Sequence, residues 1–360
     1  MASVIIDVSA TLLNQTAVNF LIRDTVRALR AESAAYQFVG EVFESPSLTE
    51  GQRGRLLKKF FTSVDEARVH AAAPPVPRKP ILYFDPIYTL FGDLNEDDYV
   101  FVLDMTTLTN PDWHNPNVCK LYREAFRKVL RSRCHTIHIS RNTLLTMRAT
   151  LGTEGCKPSV LHLYVRNVAG AETALCYHPF QLGKYFLFVG SLELRKNVAG
   201  LICAFDLSGL ARQGYKLVIA GGEGYGAAEI RAVAERTPNV YLLGYVSNGD
   251  LDYLYRNALA YVYPSFLEGF GVPLLEAMAY GLPCVAPTTG ASPEVGGPDV
   301  YYVDPCDIDA IGDALRRLAA MTDGERRELG RKLQTRAQER FSFANYEAGL
   351  RKTLSPALAP

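Results

Sequence analysis

Short apolar runs alternate with amphipathic stretches along the second half of the chain. The apolar runs predict strands over residues 185–190, 216–221, 240–243, 260–263 and 284–286. The amphipathic stretches predict helices over residues 198–207, 227–236, 248–257, 273–280 and 308–321. This alternation predicts βα units on a parallel sheet covered on both faces, with ligands bound in the loops at the carboxyl ends of the strands.

The first half shows a similar but less regular pattern. It predicts strands over residues 3–8, 81–84, 99–103 and 135–140, and helices over residues 20–30, 118–130 and 143–151. The pattern weakens between residues 56 and 79, and the proline-rich segment 72–80 predicts a surface loop or a stiff connector. We expect an N-terminal domain over residues 1–180, a C-terminal domain over residues 181–340 and a final helix over residues 341–360 that crosses back to the first domain.

The composition excludes several classes of protein. A chain of 360 residues is long enough for about two domains, and its 38 basic residues balance its 38 acidic residues. It therefore lacks the basic excess expected of a nucleic-acid-binding protein. The cysteines form no CxxC pair and the histidines no HxxxH pair, so we expect neither a disulfide framework nor a metal site. No 18 apolar residues run together and the N-terminus is a poor signal peptide, so we expect a cytoplasmic protein.

Two adjacent cations follow the predicted strand YFLFVG, in the loop GSLELRKN. Arg195 and Lys196 would lie at the carboxyl end of a parallel strand, just before a helix. This placement suits a diphosphate, because arginine can bind two phosphate oxygens at once while lysine supplies a point charge. The alternative from the residues alone is a solvated surface pair.

Two glutamates bracket the start of a predicted helix in the segment PSFLEGFGVPLLE. Glu268 lies between glycines that leave room for a ligand, and Pro273 is suited to the first helical position. With Glu276, they could accept hydrogen bonds from sugar hydroxyls while the helix amides hold phosphate. The alternative is that both glutamates only complement the helix dipole.

Four segments of the second half closely resemble the donor-binding half of glycosyltransferase family 4: GSLELRKN, LGYVSNGDLDYLYRNALAYVYPSFLEGFGVPLLEAMAYGLPCVAP, SPEVGG and YYVDPCD. The resemblance covers about residues 185–320 and includes the family's E-x7-E signature, here Glu268 and Glu276. It implies the GT-B fold, an α/β architecture of two Rossmann-like, doubly wound domains that face a central cleft. It is weaker over residues 1–181, where Leu103-Asp104 stands in place of the family's usual His-Asp and the early glycine-rich stretch is missing.

The resemblance implies a role for each matching residue. Arg195 and Lys196 would neutralise the donor diphosphate, and Glu268 would be the third catalytic residue, hydrogen-bonded to the donor sugar. Glu276 would bind the ribose hydroxyls of the nucleotide. The other residues implied to bind the donor are Gly190, Ser191, Phe270, Gly271 and Val272. Candidate residues of the donor and acceptor cleft in the first domain are Leu103, Asp104, Trp113 and His114, with local packing as the alternative role of the last two.

The implied activity is retaining, metal-independent and cofactor-free transfer of a hexose from a nucleotide-diphosphate sugar to a saccharide acceptor in bacterial surface-polysaccharide synthesis. Mannose or a deoxyhexose is the favoured sugar.

A GT-B-type sugar-nucleotide epimerase and an inactive nucleotide-sugar-binding partner subunit remain as alternatives. A nicotinamide dehydrogenase would need GxGxxG after the first strand. A GT-A transferase would need a metal-binding DxD, and the sequence Asp250-Leu251-Asp252 begins a predicted helix, where capping is favoured.

The acceptor cannot be read from these residues, but family members often extend lipid-linked saccharides. Such an acceptor would bring the protein to the inner face of a membrane. Two groups of basic residues predict a surface for peripheral membrane contact, with a solvated protein surface as the alternative. They comprise Arg23, Arg27, Arg30, Lys58 and Lys59.

Overall fold

The computed structural model describes residues 4–12, 17–29, 33–65, 78–166 and 184–358. The chain divides into two compact units. Unit 1 comprises Met1–His162 and Tyr346–Pro360, and unit 2 comprises Leu163–Asn345.

Unit 1 contains a seven-stranded sheet with the strand order β3-β2-β1-β4-β5-β6-β7. Only β3 is antiparallel to its neighbour among the strands of this sheet. The strands are β1 (Val4–Asp7), β2 (Ser33–Phe38), β3 (Glu41–Phe43), β4 (Ile81–Tyr83), β5 (Tyr99–Val102), β6 (His135–His138) and β7 (Lys157–Val160). The first five helices are α1 (Ala17–Ala28), α2 (Glu50–Asp65), α3 (Thr106–Thr109), α4 (Pro116–Ser132) and α5 (Arg141–Leu151).

Unit 2 contains a six-stranded parallel sheet with the order β10-β9-β8-β11-β12-β13. This is the Rossmann order, in which the direction of strand addition reverses between the first and fourth strands, here β8 and β11. The strands are β8 (Tyr185–Val189), β9 (Lys216–Ala220), β10 (Val240–Gly244), β11 (Ala260–Val262), β12 (Cys284–Pro287) and β13 (Tyr301–Val303). The helices are α6 (Val198–Leu207), α7 (Ala227–Ala234), α8 (Asn248–Asn257), α9 (Val272–Ala279), α10 (Ser292–Gly296), α11 (Ile308–Ala320) and α12 (Asp323–Arg340).

The predicted boundary at residues 180–181 lies later than the division in the structure, which falls between His162 and Leu163. The backbone amide of Val165 donates to the carbonyl of Phe341 at 2.8 Å, and this bond fixes the connecting segment to unit 2. Most of the segment 177–184, where the sequence predicted the boundary, lies outside the described residues.

The final helix, α13 (Phe343–Leu358), begins in unit 2 and continues in unit 1. Within unit 1 the hydroxyl of Tyr346 lies 2.6 Å from Thr25 Oγ1, and both side chains are buried. The guanidinium of Arg351 donates to the carbonyl of Ala28 at 2.5 Å. These contacts attach the end of the chain to α1.

Several elements were missed by the sequence pattern. The β2–β3 hairpin, β7, β13 and the helices α2, α3, α10 and α12 were not predicted. Helix α2 buries only a narrow apolar stripe, including Leu56 and Phe60, and its other positions are largely polar. So narrow a stripe gives little helical periodicity, which explains why the pattern weakens there.

Candidate functional site

The candidate site residues of unit 2 follow β8 and β11, which are adjacent in the sheet. In a doubly wound sheet, ligands bind outside the carboxyl ends of the strands at the point where strand order reverses. Arg195 and Lys196 end a short 3₁₀ helix after β8, and Glu268 lies in the loop after β11. The fold therefore places both predicted loops at the expected position.

The side chains of these loops form one ion-paired cluster. Arg195 Nη1 donates to Glu268 Oε2 at 3.0 Å, and Lys196 Nζ donates to Glu268 Oε1 at 3.0 Å. Tyr263, just beyond β11, donates its hydroxyl to the same Oε1 at 2.6 Å. Two cations thus hold one carboxylate, although the chain separates Lys196 from Glu268 by 72 positions.

Glu268 is ionised despite its burial. Only 7% of the residue is exposed, and burial by itself raises the pKa of a carboxyl. The charges of Arg195 and Lys196 outweigh burial and lower the pKa of Glu268 to about 2. Burial and the adjacent Glu268 charge raise the pKa of Tyr263 well above its ordinary value, so this phenol is a neutral donor.

A second acid, Glu193, orients Arg195. Its Oε2 accepts from Arg195 Nε at 2.7 Å, and its Oε1 accepts from the hydroxyl of Ser191. The guanidinium is therefore held by two carboxylates in the described residues, Glu193 and Glu268. These contacts give the side chain a defined orientation.

Backbone hydrogen bonds join the loops to each other. The amide of Phe266 donates to the carbonyl of Arg195 at 2.8 Å. The amide of Ala291, in the third predicted loop, donates to the carbonyl of Glu268 at 3.0 Å. The three loops therefore form one connected structure at the edge of the sheet.

Helix α9 begins immediately after the Glu268 loop. Gly271 caps it with φ 90° and ψ 52°, a left-handed conformation that favours glycine, and Pro273 lies in the first turn. The Phe270 ring is 2% exposed and packs edge-on against Phe341. The amides of the helix start, including that of Val272, form the positive end of the helix dipole and follow closely after Glu268 in the chain.

Glu276 lies one turn into α9 and is buried, with 3% exposed. Arg166 Nε donates to its Oε1 at 2.8 Å, and the hydroxyl of Tyr255 donates to its Oε2 at 3.0 Å. Burial raises the pKa of Glu276, while Arg166 and the Tyr255 hydrogen bond oppose this rise. The two glutamates of the signature thus have separate partners within unit 2.

Gly190 lies directly after β8, beside Lys196. A Cβ atom there would lie 3.1 Å from Lys196 Cδ, so a larger residue would crowd the lysine stem. Gly190 therefore leaves room for Lys196 to reach Glu268.

The four candidate residues of unit 1 follow β5. Asp104 Oδ1 accepts from the amide and hydroxyl of Thr106 at 3.0 and 2.8 Å, and Thr106 Oγ1 lies 2.9 Å from His114 Nε2. Asp104 and His114 are thus joined through Thr106. Leu103 and Trp113 are half-buried, so neither is a fully enclosed core residue.

Other predicted residues have local partners. Asp250 forms a capping box with Ser247 at the start of α8, which confirms its capping role. Asp252 Oδ2 accepts from Arg256 at 2.8 Å. Within the described ranges, no group of three or more His, Cys, Asp or Glu side chains could hold a metal ion.

The residues predicted to contact a membrane lie on α1 and α2. Arg23 and Lys58 are exposed, Arg27 pairs with Asp24 at 3.3 Å, and Lys59 pairs with Glu41 at 3.2 Å. Arg30 lies outside the described residues. No helix in the part of the chain that the structure describes has the length and apolar character needed to span a membrane.

Sequence reasoning missed four side chains of this site: Glu193, Tyr263, Tyr255 and Arg166. Glu193 lies in the same sequence motif as Arg195, and Tyr263 lies in the same motif as Glu268. Arg166 has no comparable signal, because 110 positions separate it from Glu276.

The family Glycosyl transferases group 1 matches residues 180–340. O-antigen chain mannosyltransferase B of Escherichia coli is 38% identical over 45% of this chain and 43% of its own length. D-rhamnosyltransferase WbpZ of Pseudomonas aeruginosa is 31% identical over 44% of this chain and 42% of its own. The chain thus matches less than half the length of these relatives.

The solved structures support the fold over nearly the whole chain. Anabaena Alr3699/HepE, crystallised with UDP and glucose, has a TM-score of 0.72 at 16% identity, covering 99% of this chain and 100% of its own. This likeness, with the two Rossmann-like sheets, confirms the predicted α/β fold of the GT-B class. Residues 180–340 are thus similar to the glycosyl transferases group 1 family, in a chain of GT-B fold.

Proposed function

We propose that this chain is a retaining hexosyltransferase of bacterial surface-polysaccharide synthesis. It transfers mannose or a 6-deoxyhexose from a nucleoside-diphosphate sugar to a saccharide acceptor. The names of the two relatives, a mannosyltransferase and a D-rhamnosyltransferase, support this choice of sugars. Neither a metal ion nor another cofactor takes part.

One observation carries the proposal: Arg195 and Lys196 meet Glu268 at the switch point of the sheet, each 3.0 Å from a carboxylate oxygen. A cationic pair beside a helix start suits a diphosphate, and an ionised carboxylate suits sugar hydroxyls. These groups follow different strands, so a ligand at the edge of the sheet can contact both.

In the proposed reaction the acceptor oxygen bonds to the anomeric carbon on the face from which the diphosphate leaves. The bond between the anomeric carbon and the phosphate oxygen breaks, and its electron pair goes to the phosphate. That phosphate oxygen takes the proton of the acceptor hydroxyl, so the atoms and charges balance. Arg195, Lys196 and the first amides of α9 stabilise the charge that develops on the leaving diphosphate.

Glu268 binds sugar hydroxyls in this scheme and does not transfer a proton. Its pKa of about 2 leaves it without a proton at neutral pH. Both of its oxygens already accept hydrogen bonds from cations, which makes it a poor nucleophile. Glu276 receives the ribose hydroxyls of the nucleotide.

A screen of nucleotide sugars tests this proposal. GDP-mannose, its 6-deoxy counterpart and UDP-glucose are compared for thermal stabilisation and for release of free sugar, with and without EDTA. We expect one donor to stabilise the protein and to be hydrolysed at the same rate in EDTA. An epimerised nucleotide sugar would favour the epimerase, and binding without turnover, even with saccharide acceptors supplied, would favour the inactive subunit.

We also propose that the acceptor is lipid-linked and that the inner face of a membrane contacts α1 and α2. The exposed Arg23 on α1 and Lys58 on α2 support this surface, as does Phe61 of α2, which is 54% exposed. Co-sedimentation with anionic vesicles should weaken in Lys58→Glu but not in Lys332→Glu, a matched change on α12. Equal binding by both variants would contradict the assignment.

A further inference from the structure

Arg166 and Glu276 form an ion pair that is almost closed to solvent. The distance from Arg166 Nε to Glu276 Oε1 is 2.8 Å, and the side chains are 19% and 3% exposed. Arg166 lies in unit 2 and directly follows Val165, whose amide donates to the carbonyl of Phe341. Helix α9 carries Glu276, so the pair ties this part of the chain to the proposed nucleotide site.

The hydrogen bonds of the Glu276 carboxylate leave some of its lone pairs unused. An ionised carboxylate has about four lone-pair sites. Arg166 uses one site on Oε1, and the hydroxyl of Tyr255 uses one on Oε2. Each oxygen therefore keeps one acceptor site, which matches the two vicinal hydroxyls of a ribose.

Because Glu276 is buried, the ionised form of its carboxyl depends on the positive charge of Arg166. Arg166 is the cation that lowers the pKa of Glu276 against burial, and Tyr255 assists as a neutral donor, among the residues that the structure describes. The other titratable groups within electrostatic reach are the phenols of Tyr261 and Tyr280, whose pKa values are also raised. No second cation is available among these neighbours in the described residues to replace Arg166.

We propose that Arg166 is a positioning residue for the nucleotide: it keeps Glu276 ionised and oriented so that its two remaining acceptor sites receive the ribose hydroxyls. This inference rests on the proposed function. It adds a residue outside the E-x7-E signature to the machinery that binds the nucleotide.

The test measures the Kd of GDP and of UDP by calorimetry between pH 6 and 9. In Arg166→Ala the uncompensated burial raises the pKa of Glu276 further, so a larger share of this carboxyl is neutral at pH 7 than in the wild type. We expect roughly tenfold to hundredfold weaker binding at pH 7, recovering as the pH rises. Arg166→Lys should restore most of the affinity, and Arg316→Ala, which removes an exposed arginine paired with Asp313, should bind like the wild type.

A Glu276→Gln background completes the test. Glutamine cannot ionise, so adding Arg166→Ala to it should cause little further loss and no pH dependence. Neither position carries a charge in this double variant, so it also controls for misfolding caused by an unpaired buried charge. Tighter binding by Arg166→Ala, or weaker binding with an unshifted pH profile, would overturn the inference, because Arg166 would then block the ribose or bind the nucleotide itself. If the wild type binds neither nucleotide, the proposed function fails first.

Discussion

Lys196 and Glu268 form a buried ion pair between the loops that follow two adjacent parallel strands. Their atoms Nζ and Oε1 are 3.0 Å apart, and each side chain is 9% exposed. Tyr263 contacts both partners, at 2.7 Å from Nζ and 2.6 Å from Oε1. Removal of one charge leaves the other buried without its partner, so the folding of each variant must be measured together with its turnover.

The first prediction concerns the diphosphate cations. Arg195→Ala and Lys196→Met should each lower donor hydrolysis by roughly two to three orders of magnitude, as loss of preorganised charge typically does. Hydrolysis rates and circular dichroism are measured for both variants. Lys216→Met, on β9, serves as the control. Turnover near the wild-type rate in both site variants would contradict the role given to these cations.

The loops that follow β8 and β11 could be predicted from the sequence, because the local pattern of apolar residues shows where each strand ends. Strand-length apolar runs end just before Gly190 and Pro264, and parallel strands put their carboxyl ends on one edge of a sheet. Cations and acids in those loops therefore had to lie on the same edge. The resemblance to a known family then gave the residues their roles.

The features that could not be predicted depend on packing between residues far apart in the sequence. Nothing near Arg166 in sequence indicates Glu276 as its partner, since the pair arises only when the connecting segment packs into unit 2. The β2–β3 hairpin was missed for a related reason. Strand β3 has only three residues, and β2 pairs with β1, a partner outside the hairpin that local propensity does not reveal.

The second prediction separates the two glutamates of the signature. Glu276→Gln should weaken GDP binding, because a neutral amide is a weaker acceptor for ribose hydroxyls than a carboxylate. Glu268→Gln should bind GDP normally while hydrolysis of the donor falls, because Glu268 contacts only the sugar. Calorimetry with GDP and hydrolysis rates check both variants. An equal loss of GDP affinity in the two would show that the roles are misassigned.

The third prediction concerns stability and pH in unit 1. Burial raises the pKa of Asp85 to about 7, against hydrogen bonds from Ile87 and Tyr122 that lower it. Its folded pKa lies above its unfolded value of 3.8, so the stability that Asp85 contributes is fully present below about pH 4 and is lost as the pH rises to 7. The loss is at most about 4 kcal/mol.

Asp85→Asn removes this titration. Relative to the wild type, the variant should gain stability between pH 4 and 7 and then keep a constant advantage. Urea unfolding at pH 4.5, 6 and 8 measures the difference. Asp313→Asn, whose side chain is 73% exposed, should show no such trend. A difference between Asp85→Asn and the wild type that does not change with pH would show that Asp85 is ionised in the folded protein.

The last prediction concerns Leu103, at the end of β5, where the family resemblance would place a histidine. Leucine can neither donate nor accept a hydrogen bond, so a donor hydroxyl that met it would lack a partner. Leu103 is half-buried, which leaves part of its side chain accessible to a ligand. Contact with the methyl group of a 6-deoxyhexose would contribute only about 0.8 kcal/mol, so other groups must also act on the donor.

We expect Leu103→His to shift preference toward the donor with a C6 hydroxyl. The ratio of kcat/KM for GDP-mannose to that for its 6-deoxy counterpart measures this shift, with Leu103→Met as the matched control. An unchanged ratio in Leu103→His would mean that the side chain does not meet the donor sugar.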